Sequence, residues 1–255
     1  MDVVYAAIIC AGLLWLTRSW PPSARFIAWL LAHRPIVFAY LRSAPAVVTY
    51  TAILIVTSSI YASTSPAVGR ILLRDQSTNL RQLSSDPIRV LISSAFWTGG
   101  STILILIVPF ILILVPLERW LGTPRFLFVY WCGHIGSTLI VAVGIWFQIR
   151  RGDAPESLSR AIDVGVSYGF YCCCGLFTYR LPKQYRRAWA AFWLVFGIYG
   201  VISDGGFTSY GHLVTILMGF ALYPITLAPA VRNRTVDPIW KLRLNGQATA
   251  PATMI

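Results

Sequence analysis

The chain has 255 residues, of which 56% are apolar and only 12% charged, and its mean hydropathy is +0.66. A water-soluble domain carries about a quarter charged residues, so this composition excludes one and points to a membrane protein. The net charge of +12 raises nucleic acid as a partner. However, the basic residues sit in loops between apolar runs, without interleaved base-stacking aromatics, and no nucleic acid is expected.

The apolar runs follow one another along the whole chain. Val3–Leu16 comes first; its acidic start at Asp2 and its Trp15, Arg18, Trp20 and Pro21-Pro22 end argue for a short anchor or interfacial helix rather than a cleaved signal. Residues 25–41 predict a second in-plane helix, interrupted at His33-Arg34-Pro35. Charge-free interiors then run over Ala44–Ser63, Ser101–Leu117, Phe126–Gln148, Val164–Tyr179, Ala188–Ser203 and Phe207–Ala228. A hydrocarbon core of ~30 Å needs ~20 helical residues, and with their flanks all six are read as spans. The long connection from Thr64 to Gly100 has the mixed character of interfacial helices. The expected class is all-α: a polytopic membrane bundle of a six-helix core with an extra N-terminal hydrophobic segment. Its parts are an anchor and interfacial segment (1–43), the transmembrane domain (44–228) and a cytoplasmic tail (229–255).

Charge sets the orientation. With the segment before residue 44 inside, the inner loops hold Arg119, Arg125, Arg180, Lys183, Arg186 and Arg187, and the tail adds more. The outer loops hold about half as many cations, among them Arg74, Arg81, Arg150 and Arg160, a bias of the sign the positive-inside rule expects. The surplus also favours anionic lipid. Cys10, Cys132 and Cys172-Cys173-Cys174 lie in apolar runs. Three consecutive helix positions point about 100° apart and cannot converge on one metal, so they read as packing thiols and no metal or other cofactor is expected.

Polar residues inside spans invite explanation. In the stretch DVGVSYGFYCCCG, Ser167, Tyr171 and Gly175 share one helix face, with Gly165 and Gly169 flanking the serine and leaving its hydroxyl approachable. In SYGHLVTILMG, His212, Thr215 and Gly219 share another. A serine hydroxyl is a weak nucleophile until a base takes its proton, and neutral histidine does so near pH 7. The alternative is structural, because serines and glycines in membrane helices also serve close packing. Asp163 reads either as the cap of the serine helix, the commoner role, or as a cavity-facing partner for His212. His134 in the third span reads as a buried, hydrogen-bonded histidine.

These residues together resemble the rhomboid family of intramembrane serine proteases. That family's pattern is G-x-S-G-x-x-Y with a later glycine, then H-x-x-G-x-x-x-G on the last helix. Here Gly165-Val166-Ser167, Tyr171, Gly175, His212 and Gly219 match it, and LERWLGTPRFL supplies Glu118, Gly122, Arg125 and Phe126 of the E-x-x-x-G turn. The resemblance covers about residues 44–228. It implies Ser167 as nucleophile, His212 as base and Tyr171 as the ring packed on the histidine, in a water-filled cavity. Glu118 would tie the turn before the third span. Three departures stand out. Tyr168 follows the serine where glycine is usual. Thr215 replaces the first glycine of the last-helix pair, which predicts a looser approach of that helix. The second helix reads FWTGGSTILILIVPF and lacks H-x-x-x-N, leaving Ser101 or Thr102 as substitute oxyanion donors beside the Ser167 amide.

The implied function is an intramembrane serine protease of the cell membrane that cleaves transmembrane segments of other proteins within the lipid bilayer by a Ser–His dyad. The alternatives are an inactive rhomboid-like protein that binds membrane helices, or an unrelated multi-pass protein.

Overall fold

The computed structural model describes residues 21–98, 107–234 and 236. The apolar run Val3–Leu16, the candidate donors Ser101 and Thr102, and most of the tail lie outside them. The described residues form a bundle of helices: α1 (Pro21–Arg42), α2 (Pro45–Ser63), α3 (Pro66–Asp75), α4 (Leu80–Ser85), α5 (Pro87–Ser93), α6 (Val115–Leu121), α7 (Thr123–Arg151), α8 (Ser167–Phe177), α9 (Lys183–Ser203), α10 (Phe207–Ala221) and α11 (Pro229–Arg232). Among them Pro45–Ser63, Thr123–Arg151 and Phe207–Leu227 are long and apolar enough to cross a membrane. Their outward faces carry large exposed apolar side chains, such as Ile53, Val56, Phe128, Val143 and Phe147. A soluble protein would not leave such stripes open, whereas the chain of a polytopic membrane protein turns them to lipid.

Two expectations change. Residues 25–41 are not interrupted: α1 runs unbroken through Pro35. Proline removes one helix hydrogen bond, but here the flanking turns carry the helix across the gap. The span read as Val164–Tyr179 is helical only from Ser167 to Phe177, with a 3-10 turn over Thr178–Arg180. Eleven residues rise about 16 Å, about half the hydrocarbon core. Residues 161–166 reach the start of that helix as irregular chain. Non-helical backbone at membrane depth is tolerated only where protein satisfies it, and here it is tied down. Asp163 N–H donates to Ser77 Oγ at 2.7 Å, Thr78 N–H to Asp163 O at 3.0 Å, and Gly165 N–H to Ser94 O at 2.9 Å.

Those partners come from the Thr64–Gly100 connection, which folds into α3, α4, α5 and a 3-10 turn over Ser94–Phe96. Local chemistry explains each start. Ser65, Asn79 and Asp86 accept from the N–H groups of Val68, Gln82 and Arg89, and Pro66 and Pro87 occupy the first helical positions. Arg89 bridges Asp75 and Asp86 at 3.3 and 3.0 Å. The connection is anchored to the bundle by Ser58 Oγ against Thr98 Oγ1 at 2.8 Å.

At the opposite end Glu118 is 1% exposed. Its carboxylate accepts from the N–H groups of Ala46 (3.0 Å) and Val47 (2.9 Å) and from Thr123 Oγ1 (2.6 Å). It thereby caps α2, whose own N-cap residue Ala44 has no side chain to offer, and places negative charge on a helix N-terminus. Gly122 follows with φ 82°, where a side chain would be strained, and its N–H closes onto Glu118 O at 2.7 Å. The turn from α6 to α7 and the start of α2 are thus one unit. Replacing Glu118 by Ala strands one buried amide, one part-buried amide and a part-buried hydroxyl. A loss of about 2 kcal/mol is expected, lowering the unfolding midpoint in detergent by roughly 4–8 °C. Glu118→Gln, which keeps one acceptor, is expected to lose less, and circular dichroism melts of both variants check this.

Candidate active site

α8 begins at Ser167 because the tethered segment before it ends there. Val166 serves as the N-cap, and among the described residues no side chain caps the first turn of α8. Asp163 is therefore not the cap of this helix. It lies in the irregular segment, where its carboxylate accepts from Thr78 Oγ1 at 3.3 Å and interacts with Tyr168. Its hydrogen bonds go to the Ser77–Thr78 turn rather than to His212. Gly165 sits at φ 131°, reserved for glycine, directly beneath the Trp97 carbonyl.

Ser167 Oγ lies 3.0 Å from Nε2 of His212 in the second turn of α10. Both side chains are half-buried. Tyr171, one turn beyond the serine, sets its ring across the imidazole at 4.7 Å and 70°. Tyr168 contributes a second ring at 5.7 Å and 74°. The histidine is thus held between two tyrosines of the serine helix. The carboxylate whose charge reaches His212 is Asp204, which itself accepts from Ser209 Oγ at 2.9 Å and precedes α10. Sequence reasoning passed over Asp204 because it lies beyond the end of a span, in an exposed turn.

The helices meet through small residues. A Cβ on Gly175 would lie 2.5 Å from Ile216 O and 3.1 Å from Gly219 Cα, and one on Gly219 would enter the Cys172 carbonyl. α8 and α10 therefore pass backbone to backbone. Gly169 lies under the Tyr130 ring rather than beside the serine hydroxyl; it packs α8 on α7. Cys172, Cys173 and Cys174 are fully buried, and the Cys172 side chain packs on Gly133 of α7. No group of His, Cys, Asp and Glu able to hold a metal occurs among the described residues.

The expected loosening at Thr215 is absent. Its fully buried hydroxyl bonds Ser137 Oγ on α7 and Tyr168 O on α8, the latter at 3.1 Å, so one side chain joins three helices. His134 turns away from the dyad: Nε2 lies 3.1 Å from both Ser94 Oγ and Leu91 O. It secures the loop that holds Gly165.

The family model described as rhomboid-like protein matches residues 39–232. The chain belongs to the rhomboid-like family. No curated protein and no solved structure matches it. The rhomboid-like bundle is a polytopic, integral membrane protein by this membership and by its apolar outer faces. Within it, the departure at Tyr168 has a compensating partner that sequence reasoning missed. Gly211, just before the histidine, faces the Tyr168 ring so closely that any Cβ there would overlap it. The tyrosine is accommodated where its neighbour helix has no side chain.

Thr215→Val keeps the shape and removes the hydroxyl from Ser137 and Tyr168 O. The expected cost is about 1–2 kcal/mol, with little change for Thr215→Ser, measured by detergent thermal melts. Gly211→Val should be worse than either, because it drives into the Tyr168 ring; a folded yield equal to wild type would contradict the packing described.

Proposed function

We propose that this rhomboid-like protein is an intramembrane serine protease of the cell membrane that cleaves transmembrane segments of other membrane proteins. The observation carrying this reading is the 3.0 Å contact between Ser167 Oγ and His212 Nε2 at the N-terminus of α8. In the neutral tautomer with Nδ1 protonated, Nε2 accepts the serine proton as Oγ attacks the scissile carbonyl. The bond formed is an ester to Oγ; the imidazolium then gives its proton to the departing amine. Water, activated by the same histidine, hydrolyses the ester and frees the serine.

The oxyanion needs donors where its charge develops. No side chain among the described residues caps α8, and the Ser167 N–H lies at its positive end. The two rings on His212 fix its position without a third catalytic carboxylate. A dyad suffices if the imidazole is already aimed.

The second reading is a helix-binding protein without proteolysis. It is favoured by the second helix, which lacks histidine and asparagine, and by His134, which is committed to Ser94 and Leu91 rather than the dyad. Loss of one oxyanion donor costs about 10²–10³ in rate, so a slow protease and a dead one are separated by measurement.

A fluorophosphonate probe applied to the detergent-purified protein is expected to label wild type and not Ser167→Ala. His212→Ala should slow labelling by at least about 10³-fold, since the serine loses its base. Tyr171→Ala, which frees the imidazole without removing it, is expected to slow labelling by about tenfold through lost orientation. No labelling of folded wild type would reject the protease reading in favour of the helix-binding one.

A further inference from the structure

The loop-rich end of the bundle, which the charge bias assigns to the outside, carries a basic cleft that the dyad does not use. A space of about 560 Å³ is bounded by Arg81, Arg150 and Arg160, with Ser84 and Ser159 between them. It adjoins a second space of about 550 Å³, which shares Arg81, Ser84 and Arg160 and adds Arg74. The four guanidiniums come from α3, α4, the end of α7 and the 3-10 turn Glu156–Arg160. All four are exposed, and none forms an ion pair among the described residues, whose salt bridges involve Arg89 alone. One acid, Glu156, lines the first space without reaching ion-pair distance of any of them.

Uncompensated cations this close repel one another, and an anion between them removes that cost. Guanidinium forks match phosphate oxygens, and serine hydroxyls add donors. The floor of the cleft shows which anion. Trp146 and Ile149 line it, and Arg150 lies over the Trp146 ring at 4.9 Å. An interfacial tryptophan under a cation marks the headgroup level of a bilayer. Below it α7 continues as an exposed apolar strip through Phe147, Val143 and Ile140. Charge on top and hydrocarbon beneath, along one helix, fit a ligand with the same two halves.

We propose that this cleft binds an anionic phospholipid of the outward leaflet, its phosphate among Arg81, Arg150 and Arg160 and its acyl chains along α7. An acidic peptide would satisfy the arginines but leave the continuous apolar strip unused. The site stands independently of the dyad's chemistry.

The test uses the full-length protein in phosphatidylcholine nanodiscs, with phosphatidylglycerol added and retained lipid counted by native mass spectrometry. Wild type is expected to retain phosphatidylglycerol at least fivefold over phosphatidylcholine. The triple variant Arg81→Gln, Arg150→Gln, Arg160→Gln should lose that preference, whereas Arg180→Gln, Lys183→Gln, Arg187→Gln at the other end should keep it. Glu156→Gln, which removes the one acid and leaves every arginine in place, is expected to raise retention about twofold. That variant keeps the proposal falsifiable if the triple variant fails to fold. No wild-type preference, equal losses in both triple variants, or no gain in Glu156→Gln would each overturn the proposal. So would competition by a soluble acidic peptide but not by added phosphatidylglycerol.

Discussion

Backbone hydrogen bonding in a medium without water is the constraint from which the rest of this structure follows. A chain crossing hydrocarbon must satisfy its own amides, and helices do so automatically. The segment before Ser167 does not. It descends as irregular chain and is satisfied instead by Ser77, Thr78 and Ser94. Because those bonds hold it out of helix, α8 starts only at Ser167, and among the described residues no side chain caps it. The long connection after α2 is thus the scaffold of the serine. His134 belongs to the same support, since its bonds to Ser94 and Leu91 hold the loop that accepts Gly165 N–H.

A second consequence is that helix packing and site geometry are the same contacts. Gly175 against Gly219 brings α8 and α10 together at backbone distance, and Thr215 fixes both to α7. Ser167 and His212 each lie about two turns along the same pair of helices from that contact, so their 3.0 Å separation is a product of that register. The far end of α8 is pinned too. Arg186 donates to Tyr179 O and Leu181 O, and Trp189 Nε1 to Cys174 O, each at 2.9 Å. Polar groups at both ends and small residues in the middle leave the serine helix little freedom to shift.

The two ends of the bundle carry charge differently. At the Glu118 end a single buried carboxylate is consumed by amides and organises α2, α6 and α7. At the other end Arg74, Arg81, Arg150 and Arg160 form no ion pair among the described residues, and Arg150 lies over Trp146, while Asp75 and Asp86 are spent on Arg89. The first arrangement stabilises the fold from within; the second leaves its charges at the surface of the bundle.

By itself, the sequence determined the class, because 56% apolar residues in repeated charge-free runs have no stable home but a bilayer. The spacing of Ser167, Tyr171 and Gly175, and of His212 and Gly219, also set which faces could meet, since helical periodicity is a local property. Only the tertiary structure decided where α8 begins. The hydrogen bonds that hold residues 161–166 out of helix come from positions more than 60 residues earlier, and no local pattern encodes them. The same holds for Asp163, which local propensity favours as a cap and long-range pairing with Thr78 claims instead. Thr215 reads as a loss of closeness, and Tyr168 as a departure from glycine, because residue size is read one position at a time. Ser137 accommodates the first by the hydroxyl it supplies and Gly211 the second by the side chain it lacks, and both are visible only once the helices are side by side.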